Sequence, residues 1–349
     1  MAGCASSRRR TASLWPGSAG AAAARPECII PYSRITAEWR LVVNILGPDA
    51  LVFGVDDLDS CYKYLSDYGL KKVDSAPSGA TFEALDGTAA VVRRASDPGL
   101  PAAISAAPNI REQIYGVADK ATLEAIGAEL SKDRAVVAGS DGVLRSLDDT
   151  GYAIGFKVTA RRKVDVPKYI NVPGMQIHRP INVIAAIDEA PNEIYSLSHV
   201  VLFAPDVVKA EQFYTGRLGF RTTDVFTNLG PFMRPAGTAE HHTLFLIKAP
   251  KPGLQHFTFH VGNLNDMLKA GWNFVQKGYK SFWGPGRHIL GSNNFWYFNS
   301  PFGGLMEFDC DMDLHDDSWK PRFIAAGPQT SQTYLFQFAE KWAPGDQKH

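Results

Sequence analysis

All nine histidines of this 349-residue chain, at 178, 199, 241, 242, 256, 260, 288, 315 and 349, lie after residue 177. Imidazoles bind transition metals and move protons near neutral pH, so that chemistry is confined to one half of the sequence. A non-haem iron(II) centre that activates oxygen takes two imidazoles and a carboxylate on one face and keeps the opposite positions open for substrate and oxygen. His199, His256 and Glu307 are the candidates. The two histidines each open a strand-like segment, and the glutamate lies in a third, 305–309. One histidine at a strand edge is ordinarily a satisfied structural residue, but three such groups at matching places in repeated units favour a metal. Cys4, Cys28, Cys61 and Cys310 include no CxxC pair, so neither a thiolate zinc site nor a disulfide framework is suggested, and a reducing cytoplasmic setting is expected.

The elements that must position these groups follow from an internal repeat. Segments 51–70 and 199–220 share one grammar: a short apolar strand, an acidic turn, an amphipathic helix with Asp206 as the N-cap of the second copy, and a glycine before the next strand. Weaker copies start at 113–119, leading into a helix over 121–130, and at 256–261, leading into a helix over 264–278. Strand-like stretches follow at 152–158, 243–247 and 295–298. The expected fold is α+β, with four βαβββ modules paired into two domains. The pattern predicts a disordered extension over 1–40, a metal-free module pair over 41–165 and a connector over 166–191 with prolines at 167, 173, 180 and 191. A catalytic pair over 192–315 and a tail over 316–349 complete it. The position matching His199 in the first pair falls near Asp49 or Ala50, and no histidine stands opposite His256, so that pair can only scaffold.

Lys plus Arg and Asp plus Glu are equal at 36 each, which provides no field for nucleic acid or an anionic membrane. No run approaches the ~20 apolar residues of a membrane helix. A small molecule is the expected partner, and 45% hydrophobic content is ample for two cores.

Five words of sequence carry a family resemblance: Ser198-His199-Val-Val-Leu-Phe203; His241-His242-Thr-Leu-Phe245; Leu254-Gln-His256-Phe-Thr-Phe-His-Val261; Gly286-Arg-His288; and Phe295-Trp-Tyr297-Phe-Asn-Ser-Pro301-Phe-Gly-Gly-Leu-Met-Glu307-Phe. With them, residues 41–312 resemble the type I extradiol dioxygenases of the vicinal oxygen chelate superfamily, which open 2,3-dihydroxybiphenyl and related catechols. The resemblance implies Fe(II), with Mn(II) as the alternative, at His199, His256 and Glu307. It implies His242 as acid/base, Tyr297 and His288 as substrate contacts, and a catechol and O2 as partners of a cytoplasmic homo-oligomer giving a muconic semialdehyde-type product. After His288 the sequence Ile289-Leu-Gly-Ser-Asn293-Asn294 departs from the short polar run common in that family.

His241 competes with His242 for the cleft, since adjacent strand residues point to opposite faces. Phe282, Trp283, Phe295, Trp296 and Phe302 could line a ring pocket or pack in the core. His260 is expected to be structural, Asp309 a solvated strand-end charge and Cys310 a buried small hydrophobe. Other readings remain open: a 4-hydroxyphenylpyruvate dioxygenase-like enzyme, a glyoxalase-like metal-dependent isomerase or lyase, and a non-catalytic module that holds an aromatic ligand.

Overall fold

The computed structural model describes residues 43–165, 174, 179–184 and 192–336. The 1–40 extension, most of the 166–191 connector with His178, and the end of the tail with His349 lie outside the described residues.

Four units repeat one order of elements. The first is β1 (Ile45–Val55), α1 (Leu58–Tyr68), β2 (Lys71–Ala76), β3 (Gly79–Glu83) and β4 (Ala89–Arg94). The second is β5 (Asn109–Val117), α2 (Lys120–Leu130), β6 (Val137–Ala138), β7 (Leu144–Leu147) and β8 (Ala153–Val158). The third is β9 (Ser196–Ala204), α3 (Val207–Arg217), β10 (Arg221–Phe226), β11 (Gly230–Arg234) and β12 (Leu244–Lys248). The fourth is β13 (Gly253–His260), α4 (Leu264–Gln276), β14 (Ser281–His288), β15 (Asn294–Asn299) and β16 (Leu305–Cys310). A last stretch supplies β17 (Arg322–Ile324), α5 (Pro328–Ser331) and β18 (Gln332–Leu335).

The helices start where a polar side chain can take up free backbone N–H groups. Asp57, Asp119 and Asp206 each accept from the N–H three residues on, and Asn263 accepts from Asn265 and Asp266. Gly69 ends α1 in the left-handed region, at φ 119°, where a side chain would be strained.

In every unit the first and last strands pair in parallel, and the two units of a pair join through antiparallel first strands, β1 with β5 and β9 with β13. The result is an eight-stranded sheet, β2-β3-β4-β1-β5-β8-β7-β6, and a ten-stranded sheet, β17-β10-β11-β12-β9-β13-β16-β15-β14-β18. Residues expected to be tail thus form both edges of the second sheet.

Both sheets belong to one compact unit and share a core cluster. Phe53 of β1 lies 4.8 Å from Phe257 and 4.9 Å from Phe302, and Tyr68 of α1 stacks on Phe308 at 3.9 Å. Each such side chain, buried instead of exposed, stabilises by about 1.5–3 kcal/mol. Phe302 and Trp296 are spent in this core, so they are not pocket residues. Among the described residues no helix is long and apolar enough to cross a membrane.

Candidate metal centre and cleft

The repeat carries the donors to equivalent places. His199 and His256 each stand seven residues before the capping residue of their helix, Asp206 and Asn263. The same step back from Asp57 and Asp119 reaches Ala50 and Glu112 in the first pair. Thr258 of β13 is in register with His199 on one side and Glu307 on the other, and His256 precedes it by two residues. Strand alternation therefore puts His199, His256, Thr258 and Glu307 on one face. Register shifts in β13 at both ends of this stretch mark bulges, which bend a strand.

The ligating atoms all lie within 4.8 Å of one another. His199 Nε2 is 3.1 Å from His256 Nε2, and Glu307 Oε2 is 3.2 Å from the first and 3.4 Å from the second. Two donors held about 2.1 Å from one ion sit roughly 3.0 Å apart at a right angle and roughly 3.4 Å apart at the tetrahedral angle. The three groups therefore fit a shared metal.

The protonation pattern agrees. Ser198 Oγ donates to Asp309 Oδ2 at 3.2 Å and takes the Nδ1–H of His199 at 2.8 Å, while His256 Nδ1 donates to Gln255 Oε1. Both Nε2 atoms are left with free lone pairs, as ligation requires. Burial pushes the Glu307 carboxyl up, but the two imidazoles hold it below the usual carboxylate range. Burial lowers His256 against the opposing pull of Glu307 and keeps it neutral. Neutral imidazole and ionised carboxylate are the forms that bind metal. Thr258 donates to Glu307 Oε2 at 2.5 Å, and the other oxygen, Oε1, is buried without a hydrogen bond.

Among the described residues, the first pair shows no such set. Gly155 is in register with Ile114 as Glu307 is with Thr258, so the three matching positions are Ala50, Glu112 and Gly155. Glu112 is bridged to Arg145 at 2.9 Å, and Ala50, Val52, Ala89, Ile114 and Val143 fill the space with apolar atoms. Asp49 is paired with Lys157 at 2.7 Å.

Asp309 is not the solvated charge expected from its place at a strand end. It is fully buried, held by His260 Nδ1 at 2.8 Å, Ser198 at 3.2 Å and Asn293 at 3.3 Å, because β16 lies inside the sheet. His260 bridges Asp309 and Glu240, and these carboxylates raise it well above its ordinary value although burial opposes them. Cys310 is buried.

Around the donors stand the remaining histidines. The ring of His242 lies 4.4 Å from that of His199, and burial drives its pKa far down. The expected opposite facing of His241 and His242 does not occur: β12 begins at Leu244, so both precede the strand, and their Nδ1 atoms are 2.9 Å apart. His241 lies behind His242, fully buried, with Nε2 2.7 Å from Asp224 Oδ2. Tyr297 is in register with Glu307 and so shares its face, with its ring 5.0 Å from that of His256. His288 donates from Nδ1 to the Ser331 carbonyl at 3.1 Å, so its Nε2 accepts the Tyr297 hydroxyl at 3.1 Å; burial lowers its pKa to about 4. Phe295 is buried and stacks on His288 at 4.1 Å, and Trp283 stacks on Tyr297 at 5.2 Å. Phe282 is 40% exposed.

Sequence reasoning missed Thr258, Ser198 and Asp224. The first had a signal, two residues from His256 on the same strand face. Asp224 had none, since only the packing of β10 brings it to His241.

Residues 196–308 match the model of the Glyoxalase/Bleomycin resistance protein/Dioxygenase superfamily, and this stretch of the chain is a domain of that superfamily. Over 150 residues the chain is 37% identical to metapyrocatechase 2 of Cupriavidus necator, covering 42% of this chain and 44% of that protein. Over 141 residues it is 30% identical to an iron-dependent extradiol dioxygenase of Rhodococcus jostii, covering 36% and 47%. The chain thus spans less than half the length of either relative. Among solved structures, the Mn(II)-bound glyoxalase of Novosphingobium aromaticivorans shares the fold, with a TM-score of 0.66 at 21% identity over 83% of this chain and 91% of that one.

Proposed function

We propose that this chain is an extradiol ring-cleaving dioxygenase that binds Fe(II) at His199, His256 and Glu307 and acts on a catechol-type diol with O2. The observation that carries the reading is the meeting of two free imidazole nitrogens and a carboxylate oxygen within 3.1–3.4 Å of one another. His242, Tyr297 and His288 gathered around them support it. The names of the two dioxygenase relatives support it further.

Ferrous iron held by His199, His256 and Glu307 would supply a Lewis acid for the diol oxygens and an electron source for oxygen. The chain's own residues do the rest. His242, kept neutral by burial, takes a proton from the diol and later returns it. Tyr297 donates its hydroxyl hydrogen bond to His288, so its oxygen lone pairs are free to accept the diol O–H. Trp283 provides an aromatic wall for a flat ring. Residues 41–165 serve as the scaffold for the metal-holding pair over 192–315, in a cytoplasmic homo-oligomer.

The test is an oxygen electrode with ferrous-loaded protein and a series of substituted catechols, read together with the absorbance of a yellow ring-fission product. Uptake of one O2 per diol is expected. An iron-loaded protein that consumes no oxygen with any catechol, or that turns over without oxygen as an isomerase or lyase would, overturns the reading.

A further inference from the structure

Behind His242 a chain of side chains runs to the C-terminal edge strand. The Arg322 backbone N–H donates to Asp224 Oδ1 at 2.8 Å, and its guanidinium donates to both carboxylate oxygens, from Nε at 3.1 Å and from Nη2 at 2.5 Å. Asp224 Oδ2 faces His241 Nε2 at 2.7 Å, and His241 Nδ1 faces His242 Nδ1 at 2.9 Å. Asp224 and His241 are fully buried and His242 is 4% exposed, so water hardly competes.

The protons on this chain follow from its far end. Burial raises the Asp224 carboxyl, but hydrogen bonds from His241 and Arg322 outweigh it and keep the group ionised. An ionised carboxylate only accepts, so His241 donates from Nε2. Burial keeps His241 neutral, which leaves its Nδ1 as an acceptor. The 2.9 Å contact then requires the proton of His242 on Nδ1.

We propose that Arg322, Asp224 and His241 are positioning residues that lock His242 as the Nδ1–H tautomer, so that it meets substrate with a bare Nε2 and acts first as a proton acceptor. The inference rests on the reading of His242 as the acid–base group. When the diol O–H breaks, its proton bonds to Nε2 and the positive charge of the imidazolium is spread towards Asp224 through His241. Without the chain a neutral His242 would divide between two tautomers, and the fraction with Nε2–H could not accept.

The tautomer is read directly from two-bond proton–nitrogen NMR correlations of the full-length, 15N-histidine-labelled chain with zinc as a diamagnetic probe, His242 being assigned from its loss in His242→Ala. The expected result is a proton on Nδ1; a proton on Nε2 of wild-type His242 overturns the proposal without any further variant. Asp224→Ala removes the acceptor of the His241 Nε2–H and leaves nothing to fix the tautomer of His241. The His242 signal should then show both tautomers. Retention of Nδ1–H alone in a folded Asp224→Ala protein also overturns it. Should that variant lose its native amide spectrum, His241→Phe serves: a mixed His242 tautomer is expected, and retention of Nδ1–H alone counts against the chain. No catechol is present, so a failure of ring cleavage appears in the oxygen electrode and not here.

Discussion

Glu307 is the one anionic group of the proposed metal site, placed where both imidazoles already have their outer nitrogens engaged by Ser198 and Gln255. Glu307→Gln keeps the size and removes the charge. Metal retained after dialysis, measured by elemental analysis, should fall from one equivalent to a small fraction, with far-ultraviolet circular dichroism unchanged; one full equivalent in the variant would reject the assignment. The ring of His242 lies 4.4 Å from that of the proposed ligand His199, and His242 is outside the proposed donor set. His242→Ala is expected to keep the metal and lose about 10²–10⁴-fold in kcat, the usual worth of a positioned acid or base. Loss of metal together with activity would instead make it a ligand.

The strand that presents Tyr297 is set by the helix packed on it. A Cβ on Gly271 of α4 would meet Trp296 of β15 at 2.0 Å, and Trp296 is the neighbour of Tyr297 on the opposite strand face. Gly271→Ala must therefore push the indole or the helix aside. A loss of about 1–3 kcal/mol in urea unfolding is expected from such overpacking, together with a raised KM for the diol as Tyr297 shifts. A variant as stable as wild type would show that the helix and strand slide freely. The strand character of 295–298 was legible in the sequence, whereas the closeness of Gly271 to Trp296 was not, because it depends on how α4 lies across the sheet.

Across the whole molecule, the first pair acts on the site through its contact with the second. Tyr68 of α1 donates its hydroxyl to the Glu307 carbonyl at 2.5 Å, and Tyr214 of α3 donates to Asp148 at 2.9 Å. Tyr68→Phe should cost about 1–2 kcal/mol of stability in a denaturant melt, the worth of a buried hydrogen bond whose acceptor is stranded. No change would mean that the carbonyl finds another donor. Burial, offset in part by hydrogen bonds from Tyr152, Tyr214, Thr150 and Gly151, raises Asp148 to about 6. A carboxyl raised on folding favours the folded state below its unfolded value of about 4, and that contribution is lost as pH rises through about 6. Asp148→Asn removes the titration, so wild type should lose about 2–3 kcal/mol relative to the variant between pH 4 and 8. Parallel stability curves over that range would contradict the raised value.

The sequence by itself determined the repeat, and with it the place of the donors. A strand entering a capped helix fixes the spacing from His199 to Asp206 and from His256 to Asn263, and local periodicity is enough to read it. It also left the first pair without a histidine, all nine lying after residue 177. Only the tertiary structure decided what surrounds the donors. Strand register brought Thr258 between His199 and Glu307, and an inner-sheet position made Asp309 a buried acceptor. Packing of β10 and β17 gave His241 to Asp224 and Arg322, and the joining of the two sheets took Phe302 and Trp296 into the core. Those outcomes depend on contacts between segments far apart in the chain, where spacing carries no signal and only the three-dimensional arrangement of the strands decides which side chains meet.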